Sequence, residues 1–197
     1  MANEQEFKWA ADGPQDFKLF LSEVKTLARV CAPAKQNIRD VYYDSDDKYY
    51  SKNKISCRIR RQDGAYTLTL KGMSKIVNGL AVRSEKNITL KSQNLKTACA
   101  EAKKYLPSKN IQKIFSINNK RTVYIIKNKI EAELCFDNFF ITAGAKKLHR
   151  YEIELELKKG NTQNLKTFAT VISQKTKLNF ATVSKVAGAL RLLKSSS

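Results

Sequence analysis

Strict alternation of polar and apolar residues recurs along the chain and predicts β-strands. Residues 149–160, with the sequence HRYEIELELKKG, show this alternation most clearly. Glu152, Glu154 and Glu156 occupy every second position, and large apolar side chains fill the positions between them. Successive side chains leave a strand on opposite faces, so three carboxylates share one face and the apolar groups share the other. This strand therefore needs cations opposite its charged face.

The same period of two predicts seven further strands. They are residues 3–9, 37–45, 54–61, 65–71, 79–91, 120–128 and 129–138. Asp63 and Gly64 form the turn signal of a tight hairpin, and a second hairpin is expected around Asn128. Apolar residues spaced three and four apart predict helices over residues 14–30, 94–105, 162–176 and 182–193. Pro14 suits the first position of the first helix.

The charged faces of these strands differ in sign. Acidic residues dominate segments 3–9, 129–138 and 151–160, whereas arginine and lysine dominate segments 54–61, 65–71 and 120–128. A half-exposed sheet would instead carry mixed polar residues in no particular order. Segregation by strand predicts a sheet that curls with its charged face inward, so that acidic strands face basic ones across a cavity. The predicted fold class is α+β, with helices packed on the outer, apolar face.

Composition sets limits on this fold. The 197 residues contain no linker, repeat or low-complexity segment, so a single domain over residues 1–197 is expected. No apolar run has the length of a membrane span or a signal peptide, which predicts a protein without membrane contact. The four cysteines lie far apart and form no metal-type pair, and reduced thiols in the cytoplasm are expected.

The formal charge of +19 raises the question of nucleic-acid binding. Lysine makes up most of the basic residues and is scattered along the chain, which favours a solvated surface instead. Nucleic acid is therefore kept as a partner that the sequence does not favour. The purpose of the excess charge stays open at this level.

A cavity that carries both signs of charge suits a polyphosphate held with a divalent metal. Arginine and lysine bind phosphate oxygens directly, whereas carboxylates and phosphates are both anions and need a cation between them. Mg²⁺ and Mn²⁺ prefer carboxylate, water and phosphate oxygens. The acidic strands would hold the metal and the basic strands the phosphates.

Short motifs in a fixed order carry a family resemblance. They are E-x-E-x-K (Glu4, Glu6, Lys8), R-x-R (Arg58, Arg60), a strand-ending lysine (Lys71), R-x-E (Arg83, Glu85), a single arginine (Arg121), E-x-x-x-D (Glu133, Asp137), E-x-E (Glu152, Glu154) and a Ser-Lys helix start (Ser184, Lys185). In this order the chain resembles the CYTH family, the triphosphate tunnel metalloenzymes. The resemblance implies an antiparallel, closed, eight-stranded β-tunnel that hydrolyses or rearranges triphosphates with Mg²⁺ or Mn²⁺.

The resemblance also implies a role for each residue that matches a motif. The implied metal ligands are Glu4, Glu6, Glu152 and Glu154. The implied phosphate ligands are Lys8, Arg58, Arg60, Lys71, Arg83, Arg121 and Lys185. Secondary tunnel candidates are Glu85, Glu133, Asp137 and Glu156, the last of which extends the carboxylate row.

The leading functional hypothesis is a metal-dependent triphosphatase, a phosphoric anhydride hydrolase that acts on inorganic triphosphate. Alternatives are a thiamine or nucleoside triphosphatase, a class IV-type adenylate cyclase, an RNA 5′-triphosphatase or a non-catalytic polyphosphate-binding module. The expected partner is a small triphosphate, and the protein would act as a monomer or homodimer. The physiological substrate and the choice between Mg²⁺ and Mn²⁺ cannot be predicted from the sequence.

The expected reaction is in-line attack of water on a terminal phosphoryl group, with Glu4, Glu6 and Lys8 as catalytic residues. Lys8 is a candidate base, because nearby arginines would lower its pKa, although nearby carboxylates would raise it. A water activated by the metal, without a protein base, is the alternative. His149, the single histidine, shares the outward parity of Tyr151 and is assigned a structural role. Trp9 is expected in the core, and Cys135 is expected to fill space in the tunnel.

Overall fold

Eight strands of the chain form an antiparallel barrel that closes on itself. The structure is a computed structural model and describes residues 2–194. The barrel strands are β1 (Ala2–Ala11), β3 (Ala34–Ser45), β4 (Ser56–Gln62), β5 (Ala65–Lys71), β7 (Leu80–Leu90), β8 (Ile111–Lys127), β9 (Glu131–Ala143) and β10 (Lys146–Lys159). Their order is β1-β10-β9-β8-β3-β4-β5-β7, and pairing of β1 with β7 closes the ring. The predicted eight-stranded tunnel is confirmed.

Two helices cover one side of the barrel. They are α1 (Pro14–Leu27) and α4 (Thr162–Thr176), and they pack on the outward side chains of β1, β9 and β10. Trp9 is fully buried there, with its ring 4.8 Å from that of Phe20, so its expected core position is confirmed. Apolar side chains thus leave the barrel outward, which frees the opposite parity for the charged interior.

A second side of the barrel is covered by α2 (Tyr49–Lys52) and α3 (Leu95–Ala102). Their buried side chains, among them Tyr50 and Ala98, pack on outward residues of β3, β4 and β5. The strands β4, β3, β8, β9 and β10 also share a stretch of outer face with exposed side chains, including Arg39, Arg61 and Phe140. Helices therefore cover only part of the barrel.

The last helix, α5 (Lys185–Lys194), has a different position from the others. Ser184 begins it by accepting a hydrogen bond from the backbone N–H of Ala187 at 3.1 Å. Ala189 packs with Phe139 and Ile141 of β9, which have the inward parity of the tunnel. The start of α5 therefore lies against the interior of the barrel, and this position brings Lys185 to the charged residues.

Both predicted hairpins are present, and two further hairpins were missed, one that joins β9 to β10 through Gly144 and Ala145 and one at Asn78 and Gly79. Asp63 and Gly64 have φ of 50° and 84°, which is the double left-handed conformation of a tight two-residue turn. The same pair of angles, 50° and 83°, recurs at Asn78 and Gly79 between β6 (Lys75–Val77) and β7. A Cβ on Gly79 would lie 2.5 Å from the ring of Phe180, so glycine is required there for two reasons.

The predicted boundaries differ from the structure in several places. β8 begins at Ile111, nine residues before the predicted strand, and β9 continues to Ala143. Helix α1 ends at Leu27, and residues 29–30 form a short strand, β2 (Arg29–Val30), on β8. The four cysteines are free thiols. The longest helix among residues 2–194 has 15 residues, and none has the length and apolar character of a membrane span.

Candidate active site

The predicted site residues meet in one cavity inside the barrel. Its volume is about 270 Å³, and charged and polar side chains dominate its lining. The predicted residues that line it are Glu4, Glu6, Lys8, Arg58, Arg60, Lys71, Arg83, Glu85, Arg121, Glu133, Glu154, Glu156 and Lys185. Glu152 lies next to Glu154 on the same inward face, and Asp137 is fully buried beside both.

Three carboxylates form the most compact acidic group of the interior. Asp137, Glu152 and Glu154 each offer an oxygen within 4.8 Å of the others, and all three side chains are buried. We call them the acidic triad. The register of the sheet creates it, because Asp137 of β9 is the direct partner of Glu152 on β10. Asp137 was ranked only as a secondary candidate from the sequence, and the structure places it at the centre of this group.

Three basic side chains, those of Lys185, Arg121 and Lys8, neutralise the acidic triad. Lys185 Nζ donates hydrogen bonds to all three carboxylates. It lies 2.9 Å from Asp137 and 2.7 Å from Glu154, and its contact with Glu152 is shorter than both. Arg121 donates two hydrogen bonds of 2.6 Å to Asp137 and one of 2.5 Å to Glu154. The acidic triad therefore already surrounds a cation, the ammonium group of Lys185. Oxygen donors this close together suit a small divalent metal ion as well.

The two glutamates of the acidic triad have different pKa values. Burial raises the pKa of Glu152 to about 7, although Lys185 and Lys8 draw it down. Burial acts on Glu154 in the same direction, but Lys185, Lys8 and Arg121 hold its pKa well below the usual range. Glu154 is the better connected carboxylate, because it contacts all three cations.

Glu4 and Glu6 form a separate group farther along β1. Arg83 donates to both of them, at 2.6 Å from Glu6, and Lys71 donates to Glu4 at 3.0 Å. Burial raises the pKa of Glu4, but Lys71 and Arg83 outweigh it and lower that pKa to about 2. The register of β1 and β10 places Ala10, six residues beyond Glu4, opposite Glu152. At about 3.4 Å per residue, Glu4 and Glu152 are roughly 20 Å apart along the strand. Of the four predicted metal ligands, Glu152 and Glu154 therefore lie in the acidic triad, and Glu4 and Glu6 lie outside it.

Lys8 lies between the two acidic groups. Its ammonium is 2.5 Å from Glu154, 3.2 Å from Glu6 and 3.8 Å from Glu152. Burial lowers the pKa of Lys8, but the three carboxylates reverse this effect and raise it above the usual value. Of the two opposing influences expected from the sequence, the carboxylates are stronger in this structure. Lys8 is thus placed as a cation within reach of both groups.

A group of arginines forms the opposite wall. Asp40 accepts two hydrogen bonds from Arg60, at 2.8 and 2.9 Å, and one from Arg58 at 3.3 Å. We call Asp40, Arg58 and Arg60 the arginine wall. Among residues 4–194, two buried polar atoms face no protein partner, the Nε of Arg58 and the Oδ1 of Asn119. Both residues line the cavity, so the cavity retains a donor from the arginine wall and an acceptor from Asn119 for a ligand.

Asp40 was not predicted as a site residue from the sequence. It follows Arg39 on β3, and the next acid of that strand, Asp44, is four residues away, so the strand lacks the carboxylates at every second position that mark β1 and β10. Burial raises its pKa, but Arg58 and Arg60 outweigh this effect and lower it. Its inward parity with Tyr42, which also lines the cavity, was the one available signal.

The remaining candidates lie at the edge of the site or outside it. Glu156 and Glu133 share Lys158, at 2.8 and 3.7 Å, where the side chains are partly exposed. The buried Sγ of Cys135 lies 3.4 Å from a carboxylate oxygen of Glu133, and burial raises the pKa of the thiol. His149 is exposed and stacked on Phe140, outside the cavity, as its parity predicts.

The fold and the interior together define a class: a closed antiparallel β-tunnel whose interior carries carboxylates and basic side chains in contact. The chain belongs to the CYTH domain family, whose profile matches residues 2–190. The ordered motifs in the sequence had indicated this family, and the match confirms the resemblance.

Individual relatives support the same assignment. An inorganic triphosphatase of Haemophilus influenzae is 36% identical over 151 residues, which cover 74% of this chain and 43% of that protein. The chain thus matches less than half the length of this curated relative. A candidate adenylyl cyclase from Hippeastrum, described as having a dominant triphosphatase activity, superposes with a TM-score of 0.68 at 14% identity, over 98% of this chain and 96% of the other. The capping enzyme triphosphatase of Mimivirus superposes with a TM-score of 0.57 at 12% identity, over 89% of each chain. These two structures show the shared fold.

Proposed function

We propose that this protein is a divalent-metal-dependent triphosphatase that hydrolyses the terminal phosphoryl group of inorganic triphosphate. The observation that carries the proposal is one interior cavity lined both by the arginine wall and by Glu154, the carboxylate through which the acidic triad reaches it. One group suits a metal ion, and the other suits phosphate oxygens. The relative from Haemophilus influenzae, an inorganic triphosphatase, supports the choice of activity.

The balance of charge in the interior favours metal dependence. The inward acids are Glu4, Glu6, Asp40, Glu85, Glu133, Asp137, Glu152, Glu154 and Glu156, and the inward bases are Lys8, Arg58, Arg60, Lys71, Arg83, Arg121, Lys158 and Lys185. Acids and bases are nearly equal in number, so the side chains alone supply no excess of positive charge for a triphosphate. Mg²⁺ or Mn²⁺ at the acidic triad would supply that excess. When bound, the ion also neutralises phosphate charge and acidifies water.

Each group of side chains has a part in this reaction. Asp137, Glu152 and Glu154 would hold the ion, and Glu4 and Glu6 orient Arg83 through the hydrogen bonds that they accept. Arg58, Arg60, Lys71, Arg83 and Arg121 would hold the phosphate oxygens. Lys8 and Lys185 would turn from the carboxylates to the phosphates once a metal ion neutralises the carboxylates that hold them now. Catalysis would rest on positioning and neutralisation of charge.

The size and lining of the cavity favour inorganic triphosphate over larger substrates. A volume of about 270 Å³ lies below the roughly 300–1,000 Å³ of pockets that enclose drug-sized ligands. The apolar lining is limited to a few side chains such as Tyr42, Ile117 and Val186. A nucleotide base or a thiamine group would need more apolar surface than this cavity offers and would have to occupy the adjoining cavity of about 540 Å³, which shares Ser184 and Lys185 and is lined by Phe139, Ile141 and Leu148.

A substrate panel tests the proposal. Inorganic triphosphate, ATP, thiamine triphosphate and a 5′-triphosphorylated RNA would each be incubated with Mg²⁺, with Mn²⁺ and with chelator, and the products separated. Orthophosphate and pyrophosphate released from inorganic triphosphate, only in the presence of metal, are expected. Cyclic AMP formed from ATP, or release that is insensitive to chelator, would show that the proposed reaction is wrong.

A further inference from the structure

A row of exposed side chains crosses five neighbouring strands on the outer face of the barrel. Direct register partners place Arg61 of β4 beside Arg39 of β3, Arg39 beside Asn118 of β8, Asn118 beside Phe140 of β9 and Phe140 beside His149 of β10. All five side chains are exposed. We call them the outer row. A sheet face that packed against nothing would ordinarily carry small or mixed polar groups, so two arginines and two adjoining rings need an explanation.

One end of the outer row is a flat aromatic surface. The rings of Phe140 and His149 are stacked with centroids 4.3 Å apart and an angle of 7° between their planes. Phe140 is 47% exposed, which is high for a large apolar side chain on a strand. The Oδ1 of Asn138 forms a hydrogen bond of 2.7 Å with the Nε2 of His149, which fixes the orientation of the stacked rings. Tyr151 adds a third ring, 4.6 Å from that of His149. This arrangement offers a rigid ring to a planar group.

The other end of the outer row carries positive charge without acidic partners. Arg39 and Arg61 lie directly opposite each other, an arrangement of like charges that is unfavourable for the sheet by itself. In the part of the chain that the structure describes, neither of them forms an ion pair, and Lys120 beside them forms none either. A groove of about 500 Å³ joins these cations to Asn118, Asn138 and Phe140, and Asp63 is the one acid that lines it.

We propose that this outer face binds single-stranded nucleic acid. Unpaired bases stack on exposed rings, and arginine and lysine bind the phosphates that follow them along the strand. Asparagine amides can both donate to and accept from base edges. An acidic peptide would use the cations but not the ring, and a duplex keeps its base faces covered by stacking. The charge of +19 adds long-range attraction for a polyanion.

The proposed site is separate from the tunnel, although the same strands build both. Arg121 lines the tunnel and its neighbour Lys120 lines the groove outside, whereas Asn119 contributes to the lining of both. A nucleic acid on the outer row would therefore not exclude triphosphate from the interior. This separation makes the proposal independent of the triphosphatase assignment.

Fluorescence anisotropy with a labelled single-stranded RNA of about twelve nucleotides tests the site, with single-stranded DNA and a duplex of equal length as further probes. Phe140→Ala should weaken binding about 5- to 100-fold, and Phe140→Trp should preserve it. Arg39→Ala with Arg61→Ala should reduce the slope of log affinity against log salt by roughly 1.4.

Matched controls use exposed groups on other parts of the surface. Tyr105→Ala removes an aromatic side chain that is 46% exposed, and Lys25→Ala with Arg29→Ala removes two exposed cations. Both controls should leave affinity within about twofold, and thermal unfolding of each variant checks that it is folded. Equal affinity for duplex and single strand, or equal losses in Phe140→Ala and Tyr105→Ala, would overturn the proposal. Full displacement of RNA by inorganic triphosphate would place binding at the tunnel and would overturn it too.

Discussion

The acidic triad and the arginine wall lie inside one barrel, and their buried charges are paired in opposite ways. In the acidic triad, three carboxylates converge on the single ammonium of Lys185, and Lys8 and Arg121 add to the neutralisation. In the arginine wall, two guanidinium groups share one carboxylate, that of Asp40. The acidic triad surrounds a cation, whereas the arginine wall has a hydrogen-bond donor, the Nε of Arg58, without a protein acceptor among the residues that the structure describes.

This difference explains how one cavity can suit both a metal ion and a polyanion. Replacing the ammonium of the acidic triad by a divalent ion keeps its carboxylates paired and releases Lys185. The arginine wall gains a partner when phosphate oxygens reach Arg58, whose Nε has no protein acceptor. Buried charges are costly unless they are paired, so each region favours the ligand that completes its pairing.

The largest effect is expected for Glu154→Gln in the acidic triad. Glu154 contacts Lys8, Arg121 and Lys185, and loss of its charge removes the carboxylate that links them. We expect hydrolysis of inorganic triphosphate to fall about 10²- to 10³-fold, the range observed when a main electrostatic group is removed. Titration calorimetry with Mn²⁺ alone should show weakened metal binding, which is a second readout besides activity.

Glu131→Gln is the matched control for this change. Glu131 lies on β9 at the outer end of its hairpin, and its ion pairs within residues 2–194 are with the exposed Lys127 and Lys159. Exposed ion pairs contribute about 0–1 kcal/mol, so activity and Mn²⁺ binding should remain near those of the unchanged protein. Equal activity of Glu154→Gln and Glu131→Gln would exclude the acidic triad from the reaction.

Asp40→Asn tests the arginine wall by removing its single carboxylate. Arg60 would lose its ion pair in a partly buried position and Arg58 would keep only the longer contact of 4.0 Å with Glu85, so the free energy of unfolding should fall by about 2–3 kcal/mol. The pKa of Asp40 is lowered in the folded protein, so its contribution is present at neutral pH and is lost as the pH falls through that lowered value. Urea unfolding should therefore show a large difference between the two proteins at pH 7.

The difference should shrink once the pH falls below the unfolded pKa of an aspartate, about 3.9. Between that pH and the lowered pKa of the folded protein, Asp40 takes up its proton in the unfolded state first, and the unchanged protein progressively loses the advantage that it held. A difference in unfolding free energy that stays constant from pH 7 to about pH 3 would contradict the ion-pair role of Asp40. Asp63→Asn, in an exposed turn, is the control and should show little effect at either pH.

Arg58→Lys keeps the charge of the arginine wall but removes the planar fork. Lysine has a point charge and cannot bind two phosphate oxygens side by side. We expect about a tenfold loss in kcat/KM for inorganic triphosphate, equivalent to about 1.4 kcal/mol. Arg61→Lys, three residues along the same strand with its side chain outside the barrel, should change kcat/KM by less than about twofold. If both variants behave alike, the fork of Arg58 has no part in binding.

Parity was predictable from the sequence, but register was not. Alternation along each strand fixes which side chains face inward, because the pleat imposes a period of two. This is why Lys71, Arg83 and Glu154 were placed correctly inside. Whether Asp137 meets Glu152 or Glu156 depends on how β9 and β10 are aligned, and their local sequences do not state this. The acidic triad therefore became visible only in the structure.

Two other features needed contacts between distant parts of the chain. Lys185 reaches the acidic triad because α5 lies against the interior side chains of β9, a position that its helical pattern alone does not predict. The outer row needs the alignment of five strands before Phe140 and Arg39 belong to one surface. By contrast, the hairpin at Asn78 and Gly79 carried a strong local turn signal, and missing it was an error of sequence interpretation.

The smallest effect is expected for Glu156→Gln. This variant tests whether the third glutamate of β10 contributes to catalysis and metal binding. Glu156 has the parity of Glu152 and Glu154, but its side chain is 30% exposed and pairs with Lys158 at 2.8 Å. Burial raises its pKa, and Lys158 opposes that rise. A partly exposed pair contributes about 0.2–1 kcal/mol, so kcat/KM should fall by less than about fivefold, and Mn²⁺ binding should be unchanged. A loss as large as that of Glu154→Gln would move the metal site toward Glu6, its register partner on β1, and would join the two acidic groups into one.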